Sequence, residues 1–202
     1  EQGIKLHRAL PVATTVLAET RVTAIIDKGE GRGALIYSER EIRDKRTGAL
    51  LATLSSTTVA RDEGGFGGPA VAQPQPHRLP ERDPDAACDL PTAQQAALIY
   101  RLSGDPNPLH ADPVVARAAG FDAPILHGLC TLGVAGHAVL RTCCDYEAAR
   151  FKTMTLRFSA PVFPGETIRT EIWRDGDLVS FRSRALERNV IVLDNGRVDI
   201  VS

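Results

Sequence analysis

Short runs of β-branched and apolar residues alternate with turn residues along the first part of the chain. Thr14–Ile26, Ala34–Arg43 and Leu50–Ala60 are rich in Thr, Val, Leu or Ile, and glycine-containing turns separate them. β-Branched residues suit the pleated surface of a sheet, and such turns favour hairpin connections. The pattern therefore predicts three consecutive strands of an antiparallel meander.

A long stretch from Asp62 to Pro91 breaks this pattern. It opens with two Gly-Gly pairs around Phe66 and then carries repeated prolines. Glycine and proline at this density disfavour regular structure, because glycine costs backbone entropy and proline lacks an N–H group. We predict an irregular linker between two parts of the chain.

Helical patterns follow the linker. Thr92 is a candidate N-cap for a helix over residues 92–102. The Asp112-Pro113 pair predicts the start of a short helix, and Gly120 predicts its end. Apolar and small residues are nearly continuous over residues 129–144, which predicts a helix that is buried on most of its faces.

The last part of the chain returns to strand patterns and echoes the first part. Four strands are predicted there: Arg150–Ala160, Thr167–Trp173, Val179–Leu186 and Val190–Val198. Ala9–Val12 before the first long strand resembles Ser159–Val162, which occupies the corresponding place in the second half. The chain is therefore predicted to contain two related α+β repeats.

The first repeat is expected to be incomplete. The second repeat has a buried helix ahead of its meander, whereas no helical pattern precedes the meander of the first. We therefore expect residues 1–61 to be the remainder of a repeat that has lost its helix and leading strand. Residues 62–91 form the linker, and residues 92–202 form the second repeat. Mass spectrometry of the intact protein tests the expected loss.

Composition narrows the functional class. The net charge is −1 and only 5% of residues are aromatic, which disfavours nucleic-acid binding. No apolar run is long enough for a membrane span. The cysteines and histidines lack the spacing of a zinc site, and the cysteines are expected to be reduced. We expect a metal-free protein of the cytoplasm.

Candidate chemistry is concentrated between residues 100 and 133. Asp105, Asn107 and His110 share a loop that prolines stiffen, and His127-Gly128 immediately precedes the predicted buried helix. A carboxylate and an imidazole can polarise a water that Asn107 orients, and an N–H group at a helix start can stabilise an enolate oxyanion. This combination favours hydration of an α,β-unsaturated acyl group.

Each of these residues also has a structural interpretation. Asp105 alone suits a loop cap, Asn107 a turn and His110 a hydrogen-bonded core histidine. Gly128 alone suits close helix packing. His127 is interpreted as structural, with its ring bonded to the backbone beneath the helix. The joint spacing Asp-x-Asn-x-x-His followed by His-Gly favours catalysis over these alternatives.

The motif resembles the signature of the MaoC-like hydratases, and most of all their hydratase 2 members. The resemblance is carried by SGDPNPLHADP at 103–113 and PILHGLCTLG at 124–133, and it extends over nearly the whole chain. It implies a double hot-dog fold, in which each repeat wraps an antiparallel sheet around a long helix. The C-terminal repeat would be catalytic, and the degenerate N-terminal repeat would help to house the acyl tail.

The resemblance also assigns roles to residues. Asp105 and His110 correspond to the acid–base pair, Asn107 to its supporting amide and Gly128 to the oxyanion donor. Lys28 and Phe158 would line the acyl-CoA site, although Lys28 on composition alone is a solvated turn lysine. The expected assembly is a homodimer.

The expected reaction is reversible hydration of trans-2-enoyl-CoA to (3R)-3-hydroxyacyl-CoA, an activity of fatty acid metabolism. It needs no cofactor, since coenzyme A is part of the substrate. Three alternatives remain open: a hot-dog thioesterase, a non-catalytic acyl-CoA-binding module, and a biosynthetic 3-hydroxyacyl dehydratase that acts on carrier-bound chains.

Overall fold

All nine strands join one antiparallel sheet in the computed structural model, which describes residues 1–61, 63–68 and 74–201. The strands are β1 (Gln2–Leu6), β2 (Val16–Asp27), β3 (Ala34–Asp44), β4 (Leu50–Ala60), β5 (Ala86–Pro91), β6 (Phe151–Phe158), β7 (Thr167–Asp175), β8 (Leu178–Ala185) and β9 (Val190–Ile200). The α-helices are α1 (Ala96–Tyr100), α2 (Pro113–Ala118) and α3 (Gly128–Cys143). Short 3₁₀ turns lie at Arg101–Ser103, Pro108–His110 and Ala148–Arg150. Among the described residues, no helix combines the length and the hydropathy that a bilayer crossing needs.

The strand order relates the two halves of the chain to each other. The sheet runs β2-β3-β4-β1-β6-β9-β8-β7-β5, and β1 pairs with β6 at its centre. Strands β2, β3 and β4 form a meander on one side, and β7, β8 and β9 form the same meander on the other. Within the described residues, β5 and α3 have no counterpart in the first half.

The hydrophobic core lies between α3 and the second half of the sheet. Helix α3 packs against β5, β6 and β7. Val139 of the helix and Met154 and Phe181 of the sheet are each at most 1% exposed. Complete burial of a side chain of this kind stabilises the fold by roughly 1.5–3 kcal/mol. Several apolar side chains of β2 are exposed instead, with Val22 at 58% and Ile25 at 57%.

Most predicted elements are present. The buried helix, the short helix capped by Asp112 and the seven predicted strands lie within a few residues of their expected bounds. Two strands were missed. β1 is short and contains Gly3, and β5 ends in Pro91 within a proline-rich stretch. β5 is an edge strand, where a missing N–H group is tolerated.

The predicted linker needs a correction. Its expected lack of regular structure is wrong over Ala86–Pro91, because these residues form β5 and pair with β7. Residue 62 and residues 69–73 of the linker lie outside the described residues. The division of the chain at residues 61 and 91 stays a prediction, as does the expected loss of an upstream helix.

The predicted cap at Thr92 is wrong as well. Helix α1 begins at Ala96, and its N-cap position is Gln95, which makes no side-chain capping bond. The Thr92 hydroxyl donates to the Glu166 carbonyl oxygen at 2.8 Å and accepts from the Gly165 N–H at 3.0 Å. Thr92 therefore fastens the segment after β5 to the turn before β7.

Candidate active site

The loop before α2 presents the predicted carboxylate and imidazole through local turn chemistry. Gly104 has a φ of 105°, which a residue with a side chain rarely adopts. Asp105 Oδ1 then accepts from the Asn107 N–H at 3.3 Å, and Asn107 Oδ1 accepts from the Leu109 N–H at 3.0 Å. Asn107 thus caps the 3₁₀ turn that carries His110. The structural role of a turn residue, which Asn107 could have on its own, is therefore present.

His110 is held at the other end of this turn. The residue is 9% exposed, and its Nδ1 lies 2.8 Å from the Ile125 carbonyl oxygen. A carbonyl oxygen only accepts, so Nδ1 carries the proton and the neutral ring keeps its lone pair on Nε2. His110 can therefore accept a proton at Nε2.

Asp105, His110 and His127 form one cluster. Potential ligand atoms of the three side chains lie within 4.8 Å of one another. The expected proximity of residues 105 and 110 is therefore found. Asp105 is exposed, so its carboxylate is open to a bound molecule.

His127 forms the buried floor of this cluster. It is 1% exposed, and its Nε2 donates to the Asp105 carbonyl oxygen at 3.2 Å. Its ring stacks on that of His110 with centroids 3.7 Å apart. The interpretation of His127 as a residue bonded to backbone beneath the helix is confirmed.

A cavity of about 230 Å³ joins His110 to the start of α3. His110, Gly128 and Phe158 line it together. Its other walls are largely apolar: Phe121, Ile125, Leu126, Thr131, Ala160, Pro161, Val162, Val192 and Leu193. The N–H of Gly128 belongs to the first turn of α3, where backbone donors have no partner within the helix. A polar oxygen placed in this cavity would meet that donor and the partial positive charge of the helix start.

Gly128 and Phe158 are in close contact. A Cβ atom added to Gly128 would lie 3.2 Å from the Phe158 ring. The absence of a side chain at residue 128 therefore lets the aromatic ring cover the start of α3. Both the packing and the chemical interpretation of Gly128 are compatible with this contact.

Lys28 lies apart from the other predicted site residues. It follows β2, whereas Phe158 ends β6, and the order β2-β3-β4-β1-β6 separates these strands by four pairings. At ~4.8 Å per pairing, this corresponds to about 19 Å across the sheet. Lys28 could therefore contact only a part of a substrate that lies far from the reacting atoms.

Two further residues of this region were not assigned roles from the sequence. The Tyr100 ring lies 4.7 Å from that of His127, and burial raises the pKa of its hydroxyl. The signal in the sequence that could have indicated a role for Tyr100 is its position three residues before the motif at 103–113. Cys130 lies in the first turn of α3, and burial raises the pKa of its thiol. Cys130 therefore suits packing better than nucleophilic attack.

The same cluster can be considered as a metal site. Two imidazoles and a carboxylate are suitable ligand types. The Ile125 and Asp105 carbonyl oxygens each occupy one nitrogen of a histidine, so His110 keeps a lone pair on Nε2 and His127 keeps one on Nδ1. The cluster therefore contains ligand types that suit a metal ion, and the expected absence of a metal stays a prediction.

Sequence comparison identifies the family. Residues 76–195 match the model described as MaoC like domain. The chain belongs to the MaoC-like family. It is 45% identical over 207 residues to 3-hydroxyacyl-thioester dehydratase Y of Mycobacterium tuberculosis, covering 100% of this chain and 71% of that protein. It is 38% identical to peroxisomal enoyl-CoA hydratase 2 of Arabidopsis thaliana, covering 99% of this chain and 67% of that protein.

Solved structures agree with this membership. The full-length peroxisomal multifunctional enzyme type 2 of Drosophila melanogaster aligns with a TM-score of 0.89 and 39% identity, over 99% of this chain and 36% of that enzyme. This MaoC-like chain thus spans about a third of the fly enzyme. A Mycobacterium tuberculosis protein described as a double hot-dog fold aligns with a TM-score of 0.62 at 20% identity, over 99% of this chain and 74% of that protein, and supports the fold alone.

The predicted fold class and family are therefore confirmed. An enzyme of the enoyl-CoA hydratase 2 type, a lyase, is confirmed at the level of the family. The peroxisomal names of several relatives differ from the expected cytoplasmic location, which stays a prediction.

Proposed function

We propose that this MaoC-like protein hydrates trans-2-enoyl-CoA reversibly to (3R)-3-hydroxyacyl-CoA. The observation that carries the proposal is the cluster of Asp105 and His110 beside a cavity that His110 shares with Gly128. Family membership supports the substrate class, since relatives bear the names of enoyl-CoA hydratases. The (3R) configuration rests on the resemblance of the motif to the hydratase 2 members.

The proposed reaction begins with a water held between the Asp105 carboxylate and His110 Nε2, with the Asn107 amide orienting it. The pair accepts one proton as the water oxygen bonds to C3 of the substrate. The electron pair of the double bond moves towards C2 and the thioester oxygen, which becomes an enolate oxyanion. The Gly128 N–H stabilises that oxyanion, and one such donor is typically worth roughly 3–4 kcal/mol in the transition state.

The second half of the reaction returns the proton. The protonated member of the pair delivers it to C2, and the electron pair of the enolate forms the new C–H bond. The product contains every atom of the water, and no electron is gained or lost overall. The reaction therefore requires no redox cofactor, and coenzyme A takes part only as the substrate's thioester group.

The two cavities at His110 are compatible with an elongated substrate. A second cavity of about 350 Å³, lined by Gln94, Leu98 and Phe163 among others, reaches His110 from another side. An acyl thioester extends in two directions from its carbonyl carbon, so it can use two openings. We propose that Phe158 contacts the reacting part and that Lys28 contacts a distant part of the bound thioester.

Dehydration in the reverse direction is the second candidate function. The relative named 3-hydroxyacyl-thioester dehydratase Y, 45% identical, favours it. The same groups serve both directions, because a base for water becomes an acid for the leaving hydroxide. The two physiological roles are separated by following the reaction from the enoyl thioester and from the 3-hydroxyacyl thioester. Both measurements are made with thioesters of CoA and of a carrier protein.

Incubation with crotonyl-CoA tests the proposal. We expect the absorbance of the enoyl thioester to fall without release of a free thiol, and chiral chromatography to identify the (3R) product. Thiol release would indicate a thioesterase, and binding without turnover would indicate an acyl-CoA-binding module. Either result contradicts the proposal. A homodimer is the proposed assembly, and sedimentation measures it.

A further inference from the structure

His127 contacts both members of the proposed proton-transfer pair and immediately precedes the proposed oxyanion donor. Its Nε2 reaches the Asp105 carbonyl oxygen at 3.2 Å. Its ring faces His110 at 3.7 Å between centroids. Its backbone is the N-cap of α3, so the next N–H group along the chain is that of Gly128. Among the described residues, only His127 combines these three features.

The hydrogen-bonding state of His127 is determined by its surroundings. The Asp105 carbonyl oxygen only accepts, so Nε2 carries the ring proton. Nδ1 is then an acceptor, and within the described residues this buried atom has no hydrogen-bond partner. Protonation of Nδ1 would create a buried N–H donor and a charge with nothing to accept them. The ring therefore stays neutral, and Nε2 keeps donating to Asp105.

The charged and titratable neighbours agree with a neutral ring. Burial lowers the pKa of His127 and is the largest influence on it. The Asp105 carbonyl and carboxylate act in the opposite direction, whereas His110 and Arg101 lower the pKa further. Two stacked imidazoles cannot both carry a charge at this distance without strong repulsion.

Helix capping does not explain why a histidine occupies position 127. Histidine is not among the preferred N-cap residues, and the His127 side chain makes no capping hydrogen bond. Its ring points instead to the loop that carries Asp105. A residue needed only to start α3 would be replaced to advantage by asparagine.

We infer that His127 is a positioning residue, which ties the Asp105 turn to the start of α3 and holds the proton-transfer pair opposite the Gly128 amide. The inference rests on the proposed hydration function. His127 does not touch the substrate; it acts through Asp105 and His110. A displacement of the pair by about 1 Å can cost ~100-fold in rate, so a single hydrogen bond at this point is consequential.

A pair of amide variants separates positioning from capping. His127→Gln keeps an N–H donor at the distance of Nε2, whereas His127→Asn is one bond shorter and cannot reach the Asp105 carbonyl. We expect His127→Asn to lower kcat for crotonyl-CoA about 10–100-fold with little change in KM, and His127→Gln to recover a clear part of that loss. His137→Gln is the control, because His137 is exposed on the same helix and bonds only to Tyr146 among the described contacts.

The outcomes distinguish this inference from the proposed function. Equal kcat values for the two amide variants, or a more active His127→Asn, would overturn the positioning role. A wild-type protein without hydratase activity would overturn the proposed function instead. In that case nitrogen-15 NMR of labelled histidines still decides the inference: the Nε2–H tautomer of His127 is expected near neutral pH, and the Nδ1–H tautomer or a charged ring there contradicts it.

Discussion

The Nδ1 atom of His110 donates to the Ile125 carbonyl oxygen at 2.8 Å. The same peptide group donates through the Leu126 N–H to the Val162 carbonyl oxygen at 2.7 Å. One peptide plane thus connects the imidazole to the segment between β6 and β7. The tautomer of His110 is therefore set by backbone that the core holds in place, and Nε2 is left to accept a proton.

Removal of the charge of Asp105 tests its part in proton transfer. Asp105→Asn keeps the oxygen that accepts from the Asn107 N–H but cannot take up a proton at neutral pH. We expect kcat to fall about 10²–10⁴-fold. Asp112→Asn is the matched control, because asparagine caps a helix as well as aspartate and the Val114 N–H keeps its acceptor. Equal activity of the two variants in the crotonyl-CoA assay would remove Asp105 from the mechanism.

A methyl group at residue 128 tests the start of α3. In Gly128→Ala, the new Cβ would lie 3.2 Å from the Phe158 ring, so the ring must move at the wall of the cavity. We expect kcat/KM to fall at least about tenfold, because the oxyanion position next to the amide is crowded. The variant is measured with crotonyl-CoA and with a longer enoyl-CoA.

Gly133→Ala provides the comparison on the same helix. A Cβ atom at residue 133 has nothing within 4 Å. We expect normal activity and a gain of roughly 0.5–1 kcal/mol in the free energy of unfolding, because alanine loses less entropy than glycine in a helix. A loss of activity in both variants would mean that α3 tolerates no added side chain, and the specific role of Gly128 would lack support.

The stability of the protein is expected to depend on Asp44 at acidic pH. Hydrogen bonds from the Thr14 and Thr47 hydroxyls and from backbone N–H groups lower the pKa of this carboxyl to about 2. An unfolded aspartate titrates near ~3.9, so the folded state gains stability above about pH 4 and loses it as the pH falls towards 2. Urea unfolding should show a steeper decline over this range for the wild type than for Asp44→Asn. Parallel curves for the two proteins would disprove the contribution.

Metal removal is expected to leave activity unchanged. In the proposed reaction Asp105 and His110 act directly on a water, and no step uses a metal ion. Dialysis against a chelator, followed by the crotonyl-CoA assay, measures this. A loss of activity that zinc or another divalent ion restores would show that the cluster holds a metal.

Local patterns in the sequence were sufficient for most of the fold. The continuous apolar run of α3 and the β-branched runs of the meanders predicted their elements, since each pattern states which faces are buried. β1 and β5 escaped prediction because both depend on partners far along the chain: β1 pairs with β4 and β6, and β5 pairs with β7. Such short segments gain their strand conformation from hydrogen bonds that local propensity does not encode.

The candidate site was likewise predictable in part. The spacing of Asp105, Asn107 and His110 identified the loop, because turn residues fix its shape locally. The stack of His127 on His110 and the bond to the Asp105 carbonyl were not predictable in detail, since they join segments that only the tertiary fold brings together. The distance of Lys28 from Phe158 likewise follows from strand order rather than from either residue's neighbours.

A double-mutant comparison tests most directly whether Asp105 and His110 act on one water. Asp105→Asn, His110→Gln and the double variant are compared by kcat for crotonyl-CoA hydration. Groups that work as one unit give strongly non-additive losses. We predict that the double variant is about as slow as the slower single variant. A double variant slower by the product of the two single losses would contradict a shared water.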